Sequence, residues 1–490
     1  MQSEYLKKWE KCVPSLKKIL AQMQKKTIIG IGANPYPGII ISQFLKNFIS
    51  FSTKDTVDVS VLKNYMSIFC FEEKYPKIAA KIQSTSYLLG NFSFKHFLES
   101  LEKPFALLFY QTTPSIIKKL EEQKFCWIGN NLKSFEDVSF KINFRSLLKT
   151  LSLPSLPVWY LPKEEFLQKS FDQIFDKWGT GFVVQKGDSD ASGTFFIKTE
   201  KDWQAYYDII AGDDRFHTIQ ISPFIVGPSL SMLGCVTHKG ILTSTLQTQL
   251  IDVPEALCGE MPEALFLGHD WGYCPWAEGT EQRAKQIVET IGAHMAGKGY
   301  KGIFGIDFVY DQQKDELFPI ECNPRVTGAS PVYSLMTYDF GKTPPIEFFH
   351  LMAHLEIKED FDFEAVNSCL KERIPLAQIL INPMGIPEMK ISLATGVYSY
   401  LQEENRIRFE RPGALLSDIE NESEFMLIDA VPWQGTKIVQ NAPKIFRIIF
   451  KRSIATSSFS IEPIAGEIVS KLSMLLRKNQ PALKKVKKQI

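Results

Sequence analysis

The chain has 490 residues, of which 44% are apolar and 23% are charged, and its formal net charge is +1. This length is too great for one hydrophobic core, and the composition is typical of a soluble globular protein of about three domains. Because the charge is nearly balanced, we expect no bulk attraction to nucleic acid or to an anionic membrane.

The cysteine and apolar patterns indicate a compartment. Eight cysteines occur without a Cys-x-x-Cys pair, which argues against a zinc site or a disulfide framework and favours a reducing environment. The N-terminal segment is charged and amphipathic, unlike a signal peptide, and no apolar run is long enough to span a bilayer. We therefore expect a cytoplasmic protein.

The first part of the chain predicts an α/β domain. A helix is expected over residues 4–25, followed by a strand at Thr27–Gly32 and an apolar helix at 39–48. The Gly- and Pro-rich segment between them predicts a turn and not a dinucleotide site, because its prolines remove amide donors that a phosphate would need. Further strands are expected at residues 66–70, 87–89, 105–109 and 126–129.

From residue 138 the pattern changes. A helix begins at Lys141, two strands at 181–185 and 194–197 flank a Gly/Ser-rich loop, and a third strand is expected at 217–225. The segment 252–276 has few regular signals and is typical of a functional loop.

Within that segment, adjacent His269 and Asp270 are expected to be a solvated pair and not an acid–base unit. An amphipathic helix is expected over 278–297. Residues 394–450 later alternate like antiparallel strands, and a helix at 462–477 precedes a basic tail.

Residues 302–331 contain the largest group of candidate functional side chains. Two short strands joined by a polar turn can bring Asp307 beside Glu321, and Asn323 shares a face with Glu321. Two carboxylates and an amide oxygen suit Mg²⁺, and Arg325 supplies a planar fork for phosphate oxygens. Spacing alone leaves open the alternative of an ordinary hairpin with surface acids.

The order of these elements, ending in the phrase DF…IECNPR.TG.S, resembles the ATP-grasp superfamily over residues 138–345. The resemblance implies an α/β and α+β fold in three parts. These are an N-terminal α/β (pre-ATP-grasp) domain at 1–137, a two-subdomain ATP-grasp domain at 138–355 with a small flap subdomain at about 160–225, and a β-rich C-terminal domain at 356–490.

The resemblance also implies roles for single residues. Asp307, Glu321 and Asn323 match the family's metal ligands. Arg325 matches the residue that holds the transferred phosphate or the acyl phosphate, and Lys141 matches the first nucleotide lysine.

The loop at 187–194, with Ser192, Gly193 and Thr194, matches the flap that covers the phosphates of the nucleotide. Its serine and threonine hydroxyls and its backbone amides would cradle phosphate oxygens. The acidic residues of this loop are a departure, because they would lie near the triphosphate.

Two further positions depart from the family pattern. Gln185 stands where a lysine is usual and Lys186 follows one residue later, so either Gln185 donates in its place or a local bulge brings Lys186 in. The hinge strand lacks the usual glutamate, which leaves Ser222 and Phe224 as candidates for nucleotide contact.

The expected function is an ATP- and Mg²⁺-dependent ligase, with Mn²⁺ as an alternative metal, that activates a carboxylate as an acyl phosphate for attack by an amine. The expected partners are a small-molecule carboxylate and an amine, with a homodimer left open. Alternatives are another ATP-grasp phosphoryl transfer or a carboxylation, a nucleotide-binding protein without turnover, and an interaction protein that uses its C-terminal region.

Overall fold

The structure is a computed structural model of the chain. It describes residues 2–82, 85–179, 181–186, 194–214, 216–257, 265–383, 388–389, 392–438 and 444–477, and the statements below concern those residues. Among them, no helix combines the length and the apolar character that crossing a membrane requires.

The N-terminal region is built on a parallel five-stranded sheet. The elements are α1 (Gln2–Trp9), α2 (Leu16–Met23), β1 (Thr27–Gly32), α3 (Ile39–Phe44), β2 (Phe48–Ser52), α4 (Val57–Leu62), β3 (Ile68–Cys70), α5 (Phe71–Lys74), α6 (Pro76–Ala79), α7 (Thr85–Leu88), α8 (Phe92–Glu99), β4 (Phe105–Phe109), α9 (Pro114–Glu122), β5 (Trp127–Ile128) and α10 (Leu132–Ser139). The strand order is β3-β2-β1-β4-β5. Alternate residues of β1 and β4 pack into two different hydrophobic cores, so both faces of the sheet are covered.

Two predictions for this region are wrong. The helix expected over 4–25 is two helices, and Pro14, which lies between them, has no N–H to continue a helical ladder. The strand expected at 87–89 is largely helix, since α7 covers Thr85–Leu88. A run of three residues is too short to distinguish a period of 2 from one of 3.6.

The glycine turn after β1 is packed by aromatic rings. A Cβ atom on Gly30 would lie 2.2 Å from the Tyr110 hydroxyl, and one on Gly38 would lie 2.7 Å from both Tyr110 and Phe48. The Tyr110 ring, which follows β4, and the Phe48 ring, at the start of β2, therefore occupy the space next to both glycines.

A smaller antiparallel sheet follows. The elements are α11 (Lys141–Thr150), β6 (Trp159–Pro162), α12 (Lys163–Phe166), α13 (Phe171–Trp178), β7 (Phe182–Lys186), β8 (Thr194–Ile197), α14 (Glu200–Gly212) and β9 (Thr218–Pro223). The order is β6-β9-β7-β8. One face packs on the helices through side chains such as Phe182, Val184 and Trp203, which leaves the other face of β7 for contacts outside this core.

The central region contributes β10 (Ser229–Thr237), β11 (Gly240–Thr243), β12 (Gln247–Ile251), β13 (Phe266–Asp270), α15 (Thr280–Gly297), β14 (Gly302–Asp311), β15 (Glu316–Asn323), α16 (Ser330–Phe340), α17 (Ile346–His354) and α18 (Phe363–Leu370). Part of one face of its sheet packs under α11 and α15 through residues such as Phe144, Val288 and Ile306. The hairpin expected at 302–331 is β14 and β15.

The C-terminal region continues the same sheet. Its elements are β16 (Ala377–Ile381), β17 (Gly396–Leu401), β18 (Arg406–Arg411), β19 (Glu424–Ile428), β20 (Phe446–Phe450), β21 (Ala455–Ser457), β22 (Ser460–Ile461) and α19 (Pro463–Arg477). The eleven-stranded order is β15-β14-β10-β12-β13-β16-β20-β19-β17-β18, with β11 paired to β10. The antiparallel strands and the closing helix predicted for this region are confirmed.

Candidate active site

The β14–β15 hairpin brings the predicted acidic residues together. Asp307 is the direct partner of Glu321, and Gly305 is the partner of Asn323. Because side chains two residues apart in a strand share a face, Glu321 and Asn323 lie on the face that carries Asp307. The side-by-side carboxylates expected from the sequence are therefore present.

A β-bulge sets which residues of β15 face this site. Asp307 pairs with Glu321 but Phe308 pairs with Pro319, so Ile320 is an extra residue in the strand. Leu317 and Cys322 are five residues apart and still pack in the same core, which a regular strand would not allow. The bulge thus turns Glu321 toward the site.

Hydrogen bonds fix the Asp307 carboxylate at both oxygens. Asn323 Nδ2 donates to Asp307 Oδ2 at 3.0 Å, and Gln249 Nε2, from β12, donates to Oδ1 at 3.0 Å. Arg325 Nη2 donates to Asn323 Oδ1 at 3.2 Å, and Arg325 Nη1 donates to the Val326 carbonyl at 3.2 Å. These two bonds use only two of the five N–H donors of a guanidinium.

The two neighbouring carboxylates of the hairpin favour the binding of a cation. Burial, followed by the neighbouring Glu321 carboxylate, raises the pKa of Asp307 to about 8. Burial also lowers the pKa of Arg325, while the two carboxylates oppose that shift. Because desolvation and a second carboxylate both oppose the ionised form of Asp307, a positive charge placed beside the two acids would stabilise it.

The donor set fits a hard divalent cation. Asp307, Glu321 and Asn323 offer side-chain oxygens on adjacent strands. Within the described ranges there is no cluster of three or more His, Cys, Asp or Glu residues that could hold a metal ion. A metal here would rest on two carboxylates and one amide, with phosphate and water completing the set, which is the usual arrangement for Mg²⁺.

Lys141 begins α11, and a second cation that sequence reasoning missed lies one turn later. Lys141 is 5% exposed and Arg145 is 4% exposed. Arg145 Nη1 donates to the carbonyl of Pro319, on β15, at 3.2 Å. Burial lowers the pKa of Arg145 to about 10. The i, i+4 spacing of two basic residues was the available signal, but such pairs are common on helix surfaces.

On the small sheet, Gln185 and Lys186 face opposite ways. The pairing of β7 with β9 is regular over five residue pairs, so no bulge brings Lys186 to the side of Gln185. Gln185 Nε2 donates to Thr194 Oγ1 at 3.1 Å, and Gln185 Oε1 accepts from Gln220 Nε2 at 3.0 Å. Lys186 lies on the same side of β7 as Phe182 and Val184, whose side chains pack against the helices.

The predicted hinge residues, Ser222 and Phe224, lie at the end of β9 and just after it. Ser222 is buried and pairs with Val183. The Phe224 amide donates to the Gly181 carbonyl at 3.1 Å, and its ring lies at the edge of Phe196 with centroids 5.3 Å apart. The predicted flap residues Ser192 and Gly193 lie outside the described residues.

The prediction of a solvated His269–Asp270 pair is wrong. Both residues belong to β13 and are buried, with His269 3% exposed and Asp270 fully covered. Asp270 accepts from the backbone amides of Gly272, Tyr273 and Ile454 at 2.7–2.8 Å. Part of the segment expected to be an irregular loop is therefore a central strand of the sheet.

Comparison with known proteins identifies the fold. No curated protein matches the sequence, but residues 168–329 match the family model of the ATP-grasp domain. The matched residues include β7, β9 and the β14–β15 hairpin. The chain contains an ATP-grasp domain. The resemblance and the fold class predicted from the sequence are confirmed.

Solved structures extend the likeness in fold beyond the matched segment. The L-amino acid ligase from Bacillus licheniformis is 13% identical with a TM-score of 0.53, and the match covers 92% of this chain and 98% of that one. N5-carboxyaminoimidazole synthase from Aspergillus clavatus, in complex with ADP and 5-aminoimidazole ribonucleotide, is 9% identical with a TM-score of 0.51, covering 92% and 98%. The biotin carboxylase domain of 2-oxoglutarate carboxylase from Hydrogenobacter thermophilus, with MgADP and bicarbonate, is 12% identical with a TM-score of 0.54, covering 87% and 86%. At these identities the likeness shows the fold.

Proposed function

We propose that the protein is an ATP- and Mg²⁺-dependent ligase that activates a carboxylate as an acyl phosphate and joins it to an amine. The observation that carries the proposal is the hairpin cluster of Asp307, Glu321, Asn323 and Arg325 inside an ATP-grasp domain. The same residue types are those that phosphoryl transfer to a carboxylate requires, because the reaction concentrates negative charge on phosphate oxygens.

Two steps make up the reaction. A carboxylate oxygen attacks the γ-phosphorus of ATP, ADP leaves, and an acyl phosphate forms. The amine nitrogen then attacks the acyl carbon, phosphate leaves with the electron pair of the broken C–O bond, and the nitrogen loses a proton to water. A bound Mg²⁺ supplies charge neutralisation at the phosphate oxygens.

The residues of the chain contribute binding and orientation. Asp307, Glu321 and Asn323 would hold the metal, and the guanidinium of Arg325 holds the transferred phosphoryl group through its remaining N–H donors. Lys141, at the N-terminus of α11, would neutralise a phosphate oxygen of the nucleotide.

The nucleotide itself belongs between the two subdomains in this proposal. Thr194, Ser222 and Phe224 would contact it, together with the flap residues Ser192 and Gly193. Gln185 takes the place of the expected lysine through its side-chain amide. Mn²⁺ as the alternative metal, a cytoplasmic location, a homodimer and domain boundaries at 137/138 and 355/356 remain part of the proposal.

The test is a pairwise screen for ADP release with amino acids and small carboxylic acids, including bicarbonate. We expect ADP and phosphate to appear only when an acid and an amine are both present. Glu321→Gln should lower kcat by about 10²–10³, while Glu316→Gln, an exposed change on the same strand, should leave it unchanged. ADP release that is unaffected by Glu321→Gln would refute the ligase proposal.

A nucleotide-binding protein without turnover is the second candidate. It is favoured by a hydrogen-bonded set of uncharged side chains, Thr194, Gln185 and Gln220. Gln185 in this set stands at the position where a lysine is usual. In that case a fluorescent ATP analogue would bind with Mg²⁺, but no acid–amine pair in the screen would release ADP.

A further inference from the structure

A line of polar side chains crosses one face of the central sheet, starting next to the metal site. We call Gln249, His269, Gln378 and Arg447 the polar row. Gln249 pairs with His269, and His269 pairs with Gln378, across β12, β13 and β16. Arg447 lies one strand further, on β20, two residues from the partner of Gln378. Much of this face is apolar and packs against the N-terminal region, so buried polar groups here need a separate explanation.

The polar row connects the metal site to the loop that follows the candidate phosphate-binding arginine. At one end, Gln249 Nε2 donates to Asp307 Oδ1 at 3.0 Å. At the other, Gln378 Nε2 and Arg447 Nη1 both donate to the Gly328 carbonyl at 3.3 Å. A molecule that extended from the phosphoryl-transfer site along this face, toward the C-terminal strands, would run beside this row.

His269 is a member of the row whose ring N–H is free. Gln378 Nε2 lies 2.8 Å from His269 Nδ1 and also donates to the Gly328 carbonyl. Because that amide nitrogen is the donor, Nδ1 is the acceptor and the ring carries its proton at Nε2. In the described part of the chain, the bond at Nδ1 is the one hydrogen bond to this ring. The neighbouring rings of Phe266 and Trp271, with centroids 4.7 and 5.5 Å away, restrict its orientation.

The environment keeps this imidazole neutral. Burial, followed by the charge of Arg447, lowers the pKa of His269 to about 3. The row therefore presents a fixed, uncharged N–H at any pH near neutrality. A neutral donor in a buried wall suits an oxygen of an uncharged group better than a phosphate, whose binding favours cations.

The charge at the end of the row is already balanced. Arg447 Nε and Nη2 donate to Asp429 Oδ2 at 3.0 and 2.8 Å, and Lys444 Nζ lies 2.9 Å from the same oxygen. A second carboxylate, Asp58, accepts from the Asp429 amide at 3.0 Å. Two cations thus face two carboxylates, and no net positive charge remains there for a phosphorylated ligand.

We propose that His269 is a specificity-determining residue whose Nε2–H binds an oxygen in the body of the carboxylate substrate, and that this substrate is a monocarboxylate with an uncharged polar body. This inference rests on the proposed ligase function. His269 lies three strands from Asp307, about 14 Å at roughly 4.8 Å per strand, so it contacts the part of the substrate remote from the reacting carboxylate.

The experiment uses the full-length protein and measures ADP release with the amino-acid panel, including L-serine and O-phospho-L-serine as a matched pair. We expect acids whose side chains are uncharged to be accepted and O-phospho-L-serine to be rejected. His269→Phe keeps a planar ring but removes the donor. It should raise the KM for the acid at least tenfold and change the KM for ATP less than twofold, and His269→Gln, which retains an N–H donor, should recover part of the loss.

His294→Phe, a change in α15 outside the row, is the matched control and should change neither KM. Binding of a fluorescent ATP analogue shows whether each variant is folded. If His269→Phe does not fold, the preference within the serine pair and the His269→Gln variant still decide the question. The inference is wrong if His269→Phe leaves the KM for the acid unchanged, if His269→Gln raises that KM as much as His269→Phe does, or if O-phospho-L-serine is preferred. Such results leave the ligase proposal intact, whereas the absence of ADP release with every pair overturns both.

Discussion

At the scale of single residues, Asp307 is defined by its hydrogen bonds as much as by its charge. Both of its oxygens accept amide N–H groups, from Asn323 and from Gln249. These donors favour the ionised carboxylate, while burial and Glu321 oppose it. The two amides therefore hold the carboxylate in one orientation in which a cation can meet both acids.

Removing the Gln249 donor should weaken the binding of Mg²⁺. Hydrogen bonds to charged groups contribute about 1.5–3 kcal/mol, so Gln249→Leu is expected to raise the Mg²⁺ concentration for half-maximal ADP release by about tenfold to a hundredfold. Gln247→Leu is the control, since Gln247 Nε2 donates to Ser231 Oγ at 2.7 Å on the same face and not to a carboxylate. Equal effects of the two changes would show that Gln249 does not position Asp307.

Glu347 is a buried acid that accepts a hydrogen bond from the Ser334 hydroxyl. Burial raises the pKa of Glu347 from its ordinary value to about 7. Since the unfolded chain ionises near pH 4.5, this group lowers the free energy of unfolding as pH rises from about 4.5 to 7, by about 3 kcal/mol at most.

The substitution Glu347→Gln removes that titration. We expect the variant to gain stability relative to the natural chain between pH 5 and pH 8.5, measured by urea unfolding at both values. Glu356→Gln, at an exposed acid paired with Lys301, should show little change because surface ion pairs contribute little. A constant difference between the two pH values would contradict the assigned titration.

At the scale of elements, the sequence predicts what is local and misses what is assembled across strands. The β14–β15 hairpin was predictable because two strands and a short polar turn determine that Asp307 meets Glu321. The contact of Gln249 with Asp307 was not predictable, because Gln249 lies on a strand about sixty residues earlier. Only the order of strands in the sheet brings the two residues together. The burial of His269 and Asp270 was missed because a five-residue strand between irregular segments gives a weak period-2 signal.

The strand β7 offers a direct test of the two alternatives for nucleotide binding. Gln185 and Lys186 point to opposite faces, and Gln185 shares its face with Thr194 and Gln220. If this face meets the phosphates, Gln185→Lys should lower the KM for ATP by about tenfold, since a single charge-assisted hydrogen bond contributes on that order. Lys186→Met, on the helix-packed face, should leave the KM for ATP unchanged, and the reverse pattern would assign Lys186 to the nucleotide.

At the scale of the whole molecule, one sheet joins the β14–β15 hairpin to the C-terminal strands. β16 pairs with β13, and β20, β19, β17 and β18 follow in order. The N-terminal region is also tied to these strands, because the Asp58 carboxylate accepts from the backbone amides of Asp429 and Val431 and from the Thr395 hydroxyl at 2.8–3.0 Å. The C-terminal strands therefore share a sheet with the β14–β15 hairpin and hydrogen bonds with the N-terminal region.

This continuity predicts how the chain responds to shortening. Deletion of residues 370–490 would leave β13 as an unpaired edge and uncover apolar side chains such as Leu250 and Leu267, which pack against the C-terminal strands. Exposed edges and apolar faces promote aggregation, so we expect insoluble protein without a cooperative thermal transition. A protease site inserted in the exposed turn at 402–405, between β17 and β18, is the control, because cleavage there keeps every strand. The two fragments should co-elute and retain ATP binding, and a soluble, cooperatively folded 1–369 fragment would contradict a shared core.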